Sequence, residues 1–385
     1  MISIEHAREI VSSHISPLPP RTAELSASLG HVLAQNVLAD ADYPSADRSM
    51  MDGYVIRTDA APGTFRVTAE IPAGIVPTTP LGVGESMRIF TGAILPPGGG
   101  RIVMQEDCAR SADTVAIPSF SENLFIRPQG AEAQNGAIVL PAGTLIGAPE
   151  MAILAQVGYT SPQVIPHPSI RHLATGDELV PPSQTPPPGH IRDTNSSLLA
   201  GLIPGLISTH APDDPATMKS LFEGNQDLLL ISGGASVGDH DHGSSTLRAL
   251  GYTIHFDKVN LRPGKPLTFA TRGTQVAFVI PGNPVSHFVC YHLAIRLAID
   301  LLSGIHSPWH FLDLEIIGKE TLRPNPRETF WPAEVSIQNG KLIATPKPWS
   351  SSGDTFSLTR TNALIRVGEA PPITLLLNIP HSNPV

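Results

Sequence analysis

Residues 227–241 read DLLLISGGASVGDHD, and the rest of the chain is organised around this stretch. Its apolar run, Leu228 to Ile231, has the length of a strand that is buried on both faces of a parallel sheet. The loop that follows has almost no side chains, so its backbone N–H groups can approach a phosphate or another oxyanion closely. The small residues of that loop are Gly233, Gly234, Ala235, Ser236 and Gly238.

Two carboxylates, Asp239 and Asp241, come directly after the small residues of the loop. They would repel a bare phosphate, so their position favours a divalent cation or a proton transfer between them and the ligand. The alternative interpretation is a tight strand-to-helix connection with a solvated acidic end. A single glycine-rich loop does not separate the two interpretations.

Length and composition indicate an ordered globular protein. The 385 residues are enough for roughly two to four domains, each with its own core. Hydrophobic residues make up 41% of the chain and charged residues 15%. The formal net charge of −9, without any run of Lys or Arg, argues against a nucleic-acid-binding protein. An anionic ligand would therefore be held by a few well-placed cations.

Cysteine usage and hydropathy predict a cytoplasmic protein that does not enter a membrane. Cys108 and Cys290 lie far apart in apolar contexts, which disfavours a disulfide framework and a thiolate metal site. The start MISIEHAREI lacks the basic and apolar segments of a signal peptide. The most apolar stretch, 285–302, is interrupted by polar side chains and suits a buried helix better than a membrane span.

Two regions of the chain are rich in predicted strands, one before and one after the central part. Between residue 55 and about residue 145, short alternating runs are separated by Gly and Pro, which predicts an all-β region. The same texture returns from about residue 308 and predicts a small β domain. Short helices are predicted at 3–15 and 148–158, and the passage 24–44 fits either a helix or strands and turns.

From Ser169 to Gly304 strands and helices alternate, which predicts a doubly wound, mostly parallel sheet. Strands are predicted at 170–174, 206–210, 227–231, 252–256 and 276–280, and helices at 194–202, 215–224, 243–250 and 284–303. Ligands of such sheets bind outside the carboxyl ends of the strands. Polar or Gly/Pro-rich residues follow all five predicted strands, which favours a binding site over a purely structural sheet.

The residues after the last predicted strand contain a helix start. Asn283 suits the N-cap position and Pro284 the first helical position. The free N–H groups of the following helix should therefore form a second anion site.

Charged residues of both signs follow the predicted strands. Lys258, Arg262 and Lys265 supply positive charge, whereas Glu178, Asp214 and Asp241 supply negative charge. Opposed sets of this kind fit an anionic substrate that is handled with Mg²⁺. Each carboxylate alone could be a solvated turn residue. Zinc at the DHDH run, 239–242, is disfavoured because adjacent residues do not easily converge on one tetrahedral ion.

Six motifs in a fixed order resemble those of molybdopterin molybdenumtransferase, the family of MoeA and the gephyrin E domain. The motifs are SMMDGY (49–54), TGAILPPG (91–98), TGDELV (175–180), SGGASVGDHD (232–241), RPGKP (262–266) and PGNPVS (281–286). The resemblance runs from the first helix to the tail of the chain.

The resemblance implies an elongated subunit of four parts. These are a segmented N-terminal domain (1–45 with 130–167), an inserted β domain (46–129), a molybdopterin-binding α/β domain (168–306) and a C-terminal β domain (307–385). It also implies a homodimer with the active site at the subunit interface, and a molybdopterin adenylyltransferase as a partner. The implied activity is insertion of molybdenum from molybdate into adenylylated molybdopterin, with release of AMP and with Mg²⁺.

Matching the motifs residue by residue implies a role for each site residue. Catalytic roles fall on Asp52, Thr91, Glu178, Asp241 and Lys258, and metal binding falls on Asp214 and Asp241. The pterin and its adenylate would be held by Gly233, Gly234, Ser236, Gly238, Gly282, Asn283 and Pro284. Molybdate would be held by Arg262, Lys265, Pro266, Ser286, Arg327 and Ser352. The dimer would bring Asp52 and Thr91 to the site from the partner subunit.

The chain departs from the family pattern at two places. Residues 127–132 read RPQGAE, where the family often has Arg-x-x-Gly-Glu-Asp, so that Glu132 stands alone there. Arg262 stands where lysine is usual.

Two other functions compete with molybdenum insertion. The α/β domain alone would suit an adenylyltransferase acting on molybdopterin, but the extra β domains and the pair Arg327 and Ser352 favour insertion. A non-catalytic binding or scaffold protein would keep the fold and lose the acids, which this chain retains.

Overall fold

The computed structural model describes most of the chain. Residues outside the described part are 213–216, 218–219, 222–223, 234–241, 307, 369–370 and 378–385. The predicted helix 215–224 falls largely among them.

The first helix, Ile4–His14, forms where the amphipathic pattern predicts it. Ser3 caps this helix, because its hydroxyl accepts a hydrogen bond from the N–H of His6 at 3.1 Å. The buried residues of the helix join the core of the α/β domain: Ile4, Ala7 and Val11.

The segments on either side of the inserted β region pair with each other. Three small antiparallel sheets join early strands to late ones: Arg21–Thr22 and Val32–Leu33 with Gln163–Ile165, Val37–Leu38 with Ile138–Leu140, and Arg48–Ser49 with Ile126–Arg127. The passage 24–44 therefore adopts strands and turns, one of the two predicted alternatives. The helix Ala148–Gln156 contributes Leu154 to the core of this part.

The inserted region is all-β, as predicted, and it forms a six-stranded, largely antiparallel sheet. Its strands lie in the order Arg101–Met104, Gly53–Ile56, Glu85–Ile89, Gly63–Ile71, Thr114–Ile117 and Ala109–Ser111. Gly53–Ile56 is buried at all four positions because the sheet is covered on both faces. This strand follows directly after Asp52, so the rigid sheet fixes that residue's position.

The α/β domain has a second six-stranded sheet. Its order is Ile207–Ala211, Ile170–Thr175, Leu228–Ser232, Gln275–Ile280, Thr268–Arg272 and Thr253–Phe256. The first four strands are parallel, and the last two are joined to them by antiparallel pairings. Two antiparallel steps restore the direction, so Thr253–Phe256 runs the same way as the parallel four. The doubly wound, mostly parallel prediction is confirmed.

Thr268–Arg272 was not predicted as a strand. It pairs with Gln275–Ile280 through a two-residue turn, Gly273 and Thr274, and Gly273 has the positive φ of 59° that such turns need. This strand begins two residues after the RPGKP motif (262–266). Its sequence pattern is therefore hard to separate from that of the loop that contains the motif.

The central strand Leu228–Ser232 is buried at every position. Leu228 and Leu230 face the core that contains the first helix, whereas Leu229 and Ile231 face a second core on the other side. Burial on both faces explains the continuous apolar run in the sequence, and it stabilises the strand by about 1.5–3 kcal/mol for each large side chain.

The helix Pro284–Leu302 is the long helix of the α/β domain, with a π-helical segment at Tyr291–Ile295. Within the described part of the chain, it is the one helix that length and apolar composition would allow to cross a membrane. Its apolar window is 72% buried inside the protein, which is the pattern of a core helix.

The tail folds as a β domain. Its strands lie in the order Phe311–Leu312, Ile373–Leu376, Ala363–Val367, Glu328–Gln338, Lys341–Pro346 and Glu315–Ile316. Leu261–Arg262, from the α/β domain, adds a parallel strand beside the start of Glu328–Gln338. This pairing fixes the basic RPGKP segment against the tail domain. The predicted domain limits at residues 45, 129, 167 and 306 stay a prediction.

Candidate functional site

A cleft of about 500 Å³ lies outside the carboxyl ends of the parallel strands. Its described lining residues come from four segments, 174–195, 232–233, 282–284 and 353–355. The first three follow strands of the α/β sheet, as expected for a ligand that binds outside the carboxyl ends of parallel strands. The fourth belongs to the tail domain, so two domains build the cleft.

Three adjacent strand ends meet at the floor of the cleft. The hydroxyl of Thr175 donates to the carbonyl of Ser232 at 3.0 Å, and the N–H of Gly233 donates to the carbonyl of Ile280 at 3.1 Å. Gly233 has φ +92°, and a Cβ there would lie 2.7 Å from the carbonyl oxygen of Thr175. Glycine is therefore required at this position by backbone conformation and by space.

Glu178 is exposed and lines the cleft. It follows Gly176, whose φ is +138°, and its carboxylate folds back over that glycine. A Cβ at position 176 would lie 2.5 Å from Oε2 of Glu178. The close approach of a glycine backbone thus lets the carboxylate lie at the strand end.

Residues 190–195 also line the cleft, and sequence reasoning missed them. The carboxylate of Asp193 accepts from the N–H of Ser196 at 2.9 Å and from its hydroxyl at 2.5 Å. The side-chain amide of Asn195 donates to the carbonyl of Gly282 at 2.7 Å. The available signal was an Asp two residues before the helix Asn195–Leu202, a capping pattern.

The helix start at Asn283 differs from the prediction in one respect. Asn283 does not cap the helix with its side chain, which instead donates to the hydroxyl of Ser352 at 2.9 Å. The N–H of Val285 donates to the carbonyl of Ser352 at 3.0 Å. Because Pro284 has no N–H, the tail domain occupies the first donor of the helix that an anion could have used.

The structure brings most of the predicted molybdate residues to the junction of the same two domains. Arg262 and Arg327 lie on adjoining segments, because Leu261 pairs with Glu328 in the sheet. The guanidinium of Arg327 also donates to the carbonyl of Leu261 at 3.4 Å. Ser286, 3% exposed, lies in the first turn of the helix beyond Asn283. The remaining two, Lys265 and Pro266, follow in the same loop and are half-buried.

An indole holds the guanidinium of Arg262. Cζ of Arg262 lies 5.0 Å from the ring centroid of Trp349, which is a cation–π contact. Trp349 is fixed in turn, because its Nε1–H donates to the carbonyl of Ser351 at 2.6 Å and its ring packs edge-on against Trp331. The planar guanidinium of arginine suits this contact, because it stacks on aromatic faces.

The six predicted molybdate residues lie at the domain junction and do not themselves line the cleft. Lys258, Asp52 and Thr91 do not line it either. Lys258 is exposed in the loop after Thr253–Phe256. Asp52 and Thr91 lie together in the inserted sheet, where Oδ1 of Asp52 accepts from the N–H and the hydroxyl of Thr91, both at 2.7 Å. These two hydrogen bonds, first that from the backbone, lower the pKa of Asp52.

Glu132, at the first departure from the family pattern, forms an ion pair with Arg127. Both side chains are about half exposed, so the pair contributes little to stability.

Five predicted site residues lie outside the described part of the chain: Asp214, Gly234, Ser236, Gly238 and Asp241. Within the described ranges, no group of three or more His, Cys, Asp or Glu side chains comes together as metal ligands would.

Three family descriptions match successive parts of the chain. They are the MoeA N-terminal region (domain I and II) at residues 2–158, the probable molybdopterin binding domain at 171–300 and the MoeA C-terminal region (domain IV) at 318–370. The molybdopterin molybdenumtransferase of Nostoc sp. is 35% identical over 364 residues, which cover 89% of this chain and 83% of that protein. The chain belongs to the molybdopterin molybdenumtransferase family.

Other members of the family agree with this assignment. The Bacillus subtilis enzyme of the same name is 33% identical over 362 residues, covering 89% of this chain and 84% of that protein. The crystal structure of the molybdopterin biosynthesis MoeA protein from Pyrococcus horikoshii superposes with a TM-score of 0.79 at 25% identity, covering 97% of this chain and 100% of that one. The family resemblance and the fold class predicted from sequence are confirmed.

Proposed function

We propose that the protein inserts molybdenum from molybdate into adenylylated molybdopterin and releases AMP. The observation that most supports this is the docking of the tail loop at Ser352 onto the helix start at Asn283. It places residues of the tail domain beside the glycine turn of the α/β domain. A pterin site in the cleft and an oxyanion site at the domain junction can then lie side by side.

The cleft and the domain junction beside it each suit one part of this reaction. The turn at Gly233 and the backbone at Gly282 offer close approach to the pterin and its phosphates. Glu178 can accept or return the proton displaced when the adenylate is cleaved. Arg262, Lys265 and Arg327 place positive charge for molybdate, a dianion. Mg²⁺, when bound at Asp214 and Asp241, would supply charge to the phosphate oxygens.

The remaining parts of the proposal concern the assembly and its surroundings. Asp52 and Thr91 lie together away from the cleft of their own chain, and we propose a homodimer in which they meet the partner's cleft. Lys258 is proposed as an active-site lysine. The adenylylated substrate has to come from a molybdopterin adenylyltransferase, and the proposed location is the cytoplasm.

Purified protein mixed with adenylylated molybdopterin, Mg²⁺ and molybdate tests this proposal. We expect AMP release that requires molybdate. A second reaction with molybdopterin and ATP tests for adenylyltransferase activity, and we expect no adenylylated product. Binding of the pterin without any turnover would favour the scaffold function. AMP formation that is indifferent to molybdate would contradict the proposal.

A further inference from the structure

Two buried histidines meet beneath the cleft on either side of one serine. His172 and His287 have no exposed surface, and Ser232 is 2% exposed. The hydroxyl of Ser232 lies 2.5 Å from Nε2 of His172 and 2.5 Å from Nε2 of His287. Ser232 is the residue directly before the Gly233 turn, so the contact lies at the floor of the cleft.

The outer nitrogens of both rings have partners as well. Nδ1 of His287 lies 3.3 Å from the carbonyl oxygen of Asn283, and Nδ1 of His172 lies 2.9 Å from the hydroxyl of Ser208. The five groups form one continuous chain from the outer strand Ile207–Ala211 to the helix start at the cleft.

The partners of the two rings fix the direction of each hydrogen bond in this series of five groups. A carbonyl oxygen only accepts, so His287 carries its proton on Nδ1 and its Nε2 accepts from the hydroxyl of Ser232. The same hydroxyl oxygen must then accept from Nε2–H of His172. Nδ1 of His172 is left as an acceptor for Ser208. Burial supports this because it lowers the pKa of His172 to about 4 and that of His287 to about 3, which keeps both rings neutral.

We propose that Ser232 is a positioning residue, which through His172 and His287 holds the Gly233 turn and the Asn283 turn in register for the ligand of the cleft. A hydroxyl can donate to one neutral imidazole while it accepts from another, so it can join two rings of opposite tautomer. The inference rests on the proposed function only for the identity of that ligand.

This hydrogen-bonded network joins two strand ends and the turns that follow them. The two strand ends that it joins are already neighbours in the sheet, since Ser232 pairs with Ile280. Backbone pairing fixes the strands and leaves the turns beyond them to side chains. The chain supplies that link, because Ser232 precedes one turn and Asn283 begins the other.

Nitrogen-15 NMR of the histidine rings in the wild-type protein is the first test, and it does not depend on the folding of any variant. At pH 7 we expect His287 in the Nδ1–H form and His172 in the Nε2–H form. A protonated ring, or the opposite tautomer at His287, would overturn the inference.

Ser232→Ala and Ser208→Ala form the matched pair for the second test. Ser208 is exposed, so water can replace its hydroxyl, whereas Ser232 is 2% exposed and its hydroxyl lies between two buried rings. In Ser232→Ala we expect changed ring nitrogen shifts at both histidines, faster amide exchange at Gly233 and His287, and about tenfold weaker binding of adenylylated molybdopterin. Ser208→Ala should change the shifts of His172 alone and bind within about twofold of wild type.

The two readouts separate the inference from the proposed function. If the wild-type protein does not bind adenylylated molybdopterin, the proposed function fails, while the exchange rates still decide the positioning role. Equal amide exchange at Gly233 in Ser232→Ala and Ser208→Ala would refute that role, whatever the ligand proves to be.

Discussion

Glu178 is a single exposed carboxylate that the fold places at the rim of the cleft. Glu178→Gln keeps the volume and removes the charge, so folding should change little. We expect the rate of AMP release to fall at least about a hundredfold, the scale for losing a positioned acid or base. Glu122→Gln, the same change at another exposed position, is the control and should keep full activity. A folded Glu178→Gln protein with near-normal turnover would remove Glu178 from the mechanism.

Arg262 is a basic residue of the domain junction, and its guanidinium lies over the ring of Trp349. Arg262→Ala removes a charge-assisted contact worth about 1.5–3 kcal/mol, so the molybdate concentration required should rise roughly ten- to hundredfold. Arg262→Lys should keep the charge and lose affinity only modestly. Molybdate titrations of AMP release, with pterin binding measured separately, check both variants. Equal losses for pterin and molybdate would assign Arg262 to the organic substrate.

The need for glycine at particular positions could be predicted from the sequence only in part. The sequence indicates that Gly233 belongs to a turn that approaches a ligand, but the contact of a Cβ with Thr175 depends on a strand more than fifty residues earlier. In the same way the basic residues could be identified, whereas the support from Trp349 could not. Contacts between distant segments follow from the packing of the domains, which local patterns do not encode.

At the scale of elements, the turn after Leu228–Ser232 tests how tightly the strand ends are packed. Gly233→Ala places a Cβ 2.7 Å from Thr175, whereas Gly251→Ala, at a similar φ of +82°, meets no atom within 4 Å. Both variants bear the backbone cost, and overpacking should make Gly233→Ala less stable by a further amount of about 1–3 kcal/mol. Urea unfolding measures both. Equal losses would mean that the turn has room to move.

The buried histidine pair makes the α/β domain sensitive to acid. Unfolded imidazoles take up protons near pH 6.5, but in the native protein His172 does so only at about pH 4 and His287 at about pH 3. Between pH 6.5 and 4 the unfolded state therefore binds more protons, and the free energy of unfolding falls as the pH falls. The expected slope is up to about 1.4 kcal/mol per pH unit for each ring.

Urea unfolding at pH 7, 6 and 5 measures this slope in the wild-type protein and in His287→Gln. The variant removes one titrating ring, so its slope should be smaller by about one proton, whatever its absolute stability. An unchanged slope in the variant would show that His287 is already charged, or titrates normally, in the native state.

The elements of the α/β domain were largely predictable. The strand Leu228–Ser232 begins with four apolar residues because both of its faces are buried. Strands and helices alternate on either side of it because parallel strands are joined by crossover helices. The antiparallel strand Thr268–Arg272 was missed because nothing in the local pattern separates it from the loop before it. The 190–195 segment was missed because it follows a Pro-rich loop and lines the cleft only once the sheet is assembled.

At the scale of the whole molecule, the four-part architecture followed from resemblance. Composition and periodicity indicated β, α/β and β regions, but they could not predict that early and late segments pair around the inserted sheet. The role of Ser352 is of the same kind, since its contact with Asn283 joins residues 69 positions apart.

The proposed dimer predicts complementation between two inactive variants. Asp52 and Thr91 do not line the cleft of their own chain, so the partner's copy should serve it. Mixing Asp52→Ala with Glu178→Gln should recover up to about half of the wild-type activity per heterodimer, because one of its two sites is intact. Native mass spectrometry establishes subunit exchange. No recovery after proven exchange would place Asp52 outside the active site or within its own chain's site.

We propose that the protein exchanges the adenylate of the pterin for molybdenum. The most direct measurement quantifies AMP and pterin-bound molybdenum in the same sample, after incubation of the purified protein with adenylylated molybdopterin, Mg²⁺ and increasing molybdate. We predict equal amounts of the two products at every molybdate concentration, and almost no AMP without molybdate. Abundant AMP with no molybdenum on the pterin would contradict the claim.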